Sequence, residues 1–183
     1  MVGLERGTVE LEPYNDEWQR AFETEAERVR SALGDRIVAL EHVGSTAIEG
    51  LAAKPIIDML LVVESLPDEQ RHRWIDRLED LDYTFRLNDP VADRLFFAKG
   101  PERERTHYLS ATERGSDTHV EQRLFRDYLR QHPTEAAAYE QLKRELASRY
   151  PDDRDAYTER KSQFVQRILQ DAKAEWIDLA DGG

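Results

Sequence analysis

The chain has 183 residues, 38 Asp+Glu against 26 Lys+Arg, no Cys and a formal net charge of −12. The lack of cysteine excludes disulfides, zinc–thiolate sites, iron–sulfur clusters and a cysteine nucleophile. The acidic balance argues against a nucleic-acid duplex as partner. The longest strongly apolar run, Met59 to Val63, is far too short to span a bilayer. With no apolar signal core at the start, a cytoplasmic protein with no membrane association is expected. The length suits a single domain over residues 1–183. Only Lys54, Lys99, Lys143, Lys161 and Lys173 are lysines among the 26 basic residues. High acid with scarce lysine is expected of a salt-rich cytoplasm, although a G- and C-rich genome also favours arginine.

Thr8 to Tyr14 alternates weakly and predicts a short edge strand. Asn15 stands as an N-cap with Asp16 and Glu17 in the first turn. Trp18, Phe22, Val29 and Leu33 recur at helical spacing up to Gly34, predicting a helix over 16–33. Arg36 to Val43 reads as a strand ending in the small-residue turn Gly44-Ser45-Thr46. The nearly continuous apolar run Pro55 to Val63 predicts a central strand buried on both faces. Pro67 to Leu81 follows as a helix with Trp74, Ile75, Leu78 and Leu81 inward.

Tyr83 to Leu87, Arg94 to Ala98 and Arg105 to Ala111 read as strands. Three helices then close the chain. Thr118 with Glu121 makes a capping box for the first. Tyr139, Leu142, Leu146 and Tyr150 mark the second, and Phe164, Ile168, Leu169, Ala172 and Trp176 the third. The expected fold is α+β, a mixed sheet with helices packed on it and a helical C-terminal third.

The stretch from Glu41 to Asp58 is where chemistry concentrates. Gly44 lets the backbone approach a ligand closely, and Ser45 and Thr46 offer hydroxyl and N–H groups suited to phosphate oxygens. The same residues also make a plain capped turn. Asp58 interrupts an apolar strand, where an unpaired carboxylate costs several kcal/mol. A metal, a ring of donors, or a salt bridge to Lys54 or an arginine would compensate it; a wet strand end would remove the need.

Gly44-Ser45, twelve further residues, then Asp58 on an apolar strand fits the signature of the nucleotidyltransferase superfamily. More narrowly, His42-Val43-Gly44-Ser45-Thr46 with Gly50-Leu51-Ala52-Ala53-Lys54-Pro55-Ile56-Ile57-Asp58 resembles the GrpB family. Arg105-Thr106-His107, Phe125 to Arg130, Tyr139 with Leu142-Lys143, and Tyr157 with Lys161 extend the resemblance over residues 8 to 172. It implies a nucleotidyltransferase-like fold in which Gly44, Ser45 and Thr46 hold nucleotide phosphates and Asp58 holds Mg²⁺. Lys54, Arg105 and His107 would offset charge at the reacting phosphate.

Two departures matter. The superfamily places a second carboxylate two residues beyond the first, where this chain has Leu60, and the GrpB pattern generally lacks it as well. Many relatives also carry His-Leu-His where this chain has Tyr108-Leu109-Ser110. Two readings follow. One is a Mg²⁺-dependent nucleotide-binding protein that transfers a nucleotidyl group from a nucleoside triphosphate, or a related phosphorylated small molecule, to an unidentified acceptor. The other is a non-catalytic module for a nucleotide or coenzyme A precursor. Arg126-Asp127 reads as an internal helix salt bridge or a domain clamp, and His42 as either an acid/base group or a core imidazole. Tyr157 and Lys161, one helical turn apart, read as fixing the last helix to the sheet.

Overall fold

In the computed structural model, which describes residues 2–34 and 36–181, helix α1 (Glu17–Leu33) leads into strand β1 (Ile37–Val43). Asn15 Oδ1 accepts from the Glu17 N–H at 2.9 Å, and Gly34 at φ 80° ends the helix. A single 3₁₀ turn (Ser45–Ala47) and a loop connect to β2 (Ile57–Val63), followed by α2 (Asp68–Glu79) and β3 (Tyr83–Phe85). Strands β4 (Arg94–Lys99) and β5 (His107–Glu113) and helices α3 (Asp117–Gln131), α4 (Pro133–Arg149) and α5 (Arg154–Asp181) complete the order.

The five strands form one mixed sheet in the order β1-β2-β5-β4-β3, with only β2 and β5 parallel. Alternation along the strands assigns two faces. Ile57, Met59, Leu61, Val63, Leu109 and Ala111 turn toward α1 and α2 and pack with Trp18, Phe22, Val29, Trp74 and Leu78. Fully burying a side chain of this size contributes about 2–3 kcal/mol, so this layer is the main source of stability. Val43, Leu60 and Val62 cluster on the other face, which α3 covers. A further apolar cluster joins Ile48 and Leu51 to Phe125, Leu129, Tyr139, Ile168 and Leu169, so the turn after β1 is anchored in the helical layer.

Two local expectations are corrected. Residues 8–14 form no strand: this segment makes one isolated bridge, Glu12 to Ala53, after an earlier one from Leu4 to Arg105. Its partners are loops, which offer single hydrogen-bonding points rather than a ladder. The cap of α3 is Ser116, whose Oγ accepts from the His119 N–H at 3.1 Å. Thr118 instead donates its N–H and hydroxyl to the Asp93 carboxylate at 2.8 and 2.6 Å. Among the described residues no helix is long and apolar enough to cross a membrane.

Candidate functional site

The antiparallel pairing of β1 with β2 sets Val43 opposite Asp58, so the turn after Val43 lies against that carboxylate. Asp58 is the one partly exposed residue of β2; its six companions are buried. Gly44 has φ 70°, and a Cβ there would lie 2.4 Å from Asp58 Oδ2. Close approach therefore requires glycine at this position.

The turn is held from beneath and from the side. His42 Nε2 lies 2.9 Å from Thr46 Oγ1 and Nδ1 lies 3.2 Å from Gln19 Oε1, while the ring stacks on Phe22 at 4.9 Å. Burial, helped by Arg130 and Arg126, lowers the His42 pKa to about 3. The imidazole is thus a neutral, hydrogen-bonded support. Arg130 donates twice to the Ala47 carbonyl at 3.1 and 2.7 Å. Arg126 donates to Glu41 at 2.8 Å and to the His42 carbonyl at 3.1 Å while pairing with Asp127, so it makes a salt bridge within its own helix and also ties α3 to β1.

Above this turn a cleft of about 420 Å³ opens between the sheet and the C-terminal helices. Gly44, Ser45, Thr46 and Asp58 line one wall, and Tyr108 and Phe96, with ring centroids 5.4 Å apart, line the floor beside them. Lys54, Lys143 and Lys161 reach it from the loop before β2, from α4 and from α5. Lys54 Nζ is 5.5 Å and Lys161 Nζ 5.6 Å from the Tyr157 ring centroid. Lys143 is buried, donates to the Ala52 carbonyl and lies 4.7 Å from the Tyr139 ring centroid. Its burial, with repulsion from Lys161, lowers its pKa to about 7.

Five of the sequence-derived site residues, Gly44, Ser45, Thr46, Lys54 and Asp58, line this cleft together. Arg105 and His107 do not. They share strand parity with Leu109 and Ala111, which turn into the α1 and α2 layer, and the Asp58–Tyr108 register gives the cleft the opposite residues of β5. Arg105 is buried and its guanidinium donates to the Gly100 carbonyl, bracing the β4–β5 connection. His107 Nδ1 lies 3.0 Å from Thr106 Oγ1, and burial lowers its pKa to about 4. Tyr108 and Ser110, where the chain departs from His-Leu-His, face the cleft beside Asp58 and Leu60. Lys161 reads from its spacing to Tyr157 as a helix anchor and Lys143 enters through the family resemblance, and neither is expected in the site. Their signal is scarcity, since three of the five lysines in the chain meet in this one cleft.

The depressed values at His42 and His107 give a pH dependence with a definite sign. Both folded-state pKa values lie below the ordinary 6.5, so the unfolded chain takes up protons first as pH falls. Their contribution is intact above pH 6.5 and is lost as pH drops toward 4 and then 3. Between pH 7 and pH 5 the two together should remove roughly 4 kcal/mol of stability. Urea denaturation at both pH values checks this: the His42→Gln/His107→Gln double variant should show a correspondingly shallower decline.

The donor set limits any metal. Among the described residues no group of three or more His, Asp or Glu converges, and Leu60, on the same face as Asp58, is fully buried. Glu121 also lines the cleft, but its carboxylate is held by Lys173 at 2.9 Å. A single carboxylate fits one Mg²⁺ completed by phosphate oxygens and water. It does not fit a clamp of two metal ions.

A mixed sheet with helices on both faces, a glycine turn beside a strand carboxylate and a cleft under C-terminal helices define a nucleotidyltransferase-like fold. The crystal structure of the Cid1 poly(U) polymerase with bound MgGTP aligns with a TM-score of 0.52 at 14% identity, covering 75% of this chain and 44% of that one, a likeness of fold alone. The profile of the GrpB protein family matches residues 8–171, and the chain belongs to that family. The conserved protein GrpB of Enterococcus faecalis superposes with a TM-score of 0.84 at 32% identity over 91% of this chain and 99% of that one. UPF0157 protein YqkA of Bacillus subtilis is 38% identical over 94% of this chain, which spans only 46% of that relative's length.

Proposed function

We propose that this chain binds a nucleotide or a closely related phosphorylated small molecule in the cleft between the sheet and the C-terminal helices. The observation that carries the reading is the convergence of three lysines from separate elements on a cleft whose wall is the Gly44-Ser45-Thr46 turn and Asp58. Cations in a partly desolvated cleft call for an anion, and charge-assisted hydrogen bonds to phosphate oxygens are about twice as strong as neutral ones. Tyr108 and Phe96 offer aromatic area to a nucleobase, for which stacking contributes about 1–3 kcal/mol. Asp58 is the residue that would hold Mg²⁺ against the phosphates, where the ion supplies charge neutralisation. Leu60 removes the second carboxylate that in-line nucleotidyl transfer uses, so these residues support binding more fully than transfer.

Calorimetric titration of ATP, GTP, CTP, UTP and dephospho-coenzyme A, with and without Mg²⁺, tests this. At least one ligand should bind, Mg²⁺ should strengthen it by about tenfold, and Asp58→Asn should remove that increment, about 1.4 kcal/mol. A folded protein that binds none of the five overturns the reading.

A further inference from the structure

We propose that the cleft holds a chain of two or more phosphates at its Tyr157 end through Lys54, Lys143 and Lys161, and that this binding does not require a divalent cation. The inference rests on the nucleotide reading above and specifies which part of the ligand the lysines take and what neutralises it.

The three ammonium groups come from different parts of the chain and are arranged around the same two tyrosines. Lys54 and Lys161 approach the Tyr157 ring at 5.5 and 5.6 Å, and Lys143 approaches the Tyr139 ring at 4.7 Å. Among the described residues, the contacts of Lys143 and Lys161 are aromatic rings and the Ala52 carbonyl rather than a carboxylate. Of the other charged groups lining the cleft, Arg94 is bidentate to Asp89 at 2.6 and 2.9 Å, and Glu121 is held by Lys173. The cleft therefore has one end rich in positive charge, while Asp58 is the one carboxylate placed against the glycine turn.

Three lysines that converge on one cleft favour an anion bound among them. A single phosphate presents too little charge and too few oxygens to meet all three, whereas adjacent phosphates present both. Where two carboxylates would bind metal ions that carry this charge, the present chain has Leu60, and the lysines supply the charge directly. Lys143 adds a proton linkage. The groups that face it are Lys54 from the loop, Glu140 and Arg144 from its own helix, and Lys161 from α5, and their sum with burial holds its pKa near 7. An anion restores the full charge, so binding at pH 7.5 takes up protons.

The test titrates inorganic tripolyphosphate, pyrophosphate and phosphate in EDTA and in excess Mg²⁺, with wild type, Lys161→Gln and Lys161→Arg. Tripolyphosphate should bind in EDTA as well as in Mg²⁺, and about 100-fold more tightly than phosphate under both conditions. Lys161→Gln should weaken it about tenfold or more, with Lys161→Arg restoring most of the loss. The binding heat at pH 7.5 should vary with the ionisation enthalpy of the buffer in the direction of proton uptake. Lys161 is partly exposed, so its variants leave the Lys143–Ala52 contact and the fold in place. Tripolyphosphate binding that disappears in EDTA, equal affinity for phosphate, or indifference to Lys161→Gln each overturns the inference. If nucleotides still bind with Mg²⁺ in that case, the binding function stands without it; if nothing binds, both fall.

Discussion

Gly44→Ala is expected to destabilise the protein by about 2–4 kcal/mol and to abolish ligand binding in the cleft. The first part of the loss is conformational, because a φ of 70° places Cβ of an L-residue against its own backbone at roughly 1–2 kcal/mol. The second part is a collision. The added Cβ would lie 2.4 Å from Asp58 Oδ2, 3.0 Å from its Cβ and 3.1 Å from its Cγ. The carboxylate tip can rotate away, but the Asp58 Cβ is fixed by pairing to Val43 on one side and Tyr108 on the other. Relief therefore means moving the turn or turning the carboxylate out of place, and either disrupts the wall of the cleft. Adding Asp58→Ala removes the clash with Oδ2 and Cγ but leaves the φ strain. The double variant should regain part of the stability in urea denaturation and none of the binding. An unchanged urea midpoint for Gly44→Ala would show that the turn does not constrain this residue.

How much of this site was legible in sequence follows from how far its parts lie from one another along the chain. Gly44 and Ser45 directly follow β1, which pairs antiparallel with β2 so that Val43 lies opposite Asp58, and their spacing therefore encodes their proximity. Arg105 and His107 were assigned to the wrong face for an equally local reason. Which residues of β5 share a face with Asp58 depends on the parallel register between β2 and β5, and a shift of one residue moves every side chain to the other face. The observed partner of Asp58 is Tyr108, so the cleft receives Tyr108 and Ser110. Lys143 and Lys161 arrive through helices about ninety or more positions beyond Lys54, and no periodicity connects them. The main helices and strands were readable from their apolar periods. The segment 8–14 was not, because weak alternation looks the same whether a ladder or a pair of loops receives it.

The buried ion pair on the far side of the sheet should give the other large effect. Lys99 Nζ donates to Glu25 Oε1 at 2.6 Å, joining β4 to α1, and both side chains are nearly inaccessible, at 10% and 4%. Tyr83 lies under the ammonium at 5.2 Å, and Arg28 makes a second contact to Glu25 at 3.1 Å. Glu25→Met leaves the buried Lys99 ammonium without its carboxylate and should destabilise by about 3–5 kcal/mol. Lys99→Met should cost less, because Glu25 keeps Arg28, which is half exposed and can follow it toward solvent. Combining the two changes removes both charges, and the double variant should recover most of the lost stability, since a well-packed apolar pair often matches a buried ion pair. A double variant as unstable as Glu25→Met alone would show that this pair gains more from its geometry than it loses by desolvation. The same variants separate the two faces of the sheet. Glu25 and Lys99 lie in the α1 layer, whereas the lysine cleft lies under α3, α4 and α5, so the folded double variant should bind tripolyphosphate within about threefold of wild type. Loss of binding there would mean that the ion pair sets the strand register on which the position of Asp58 depends.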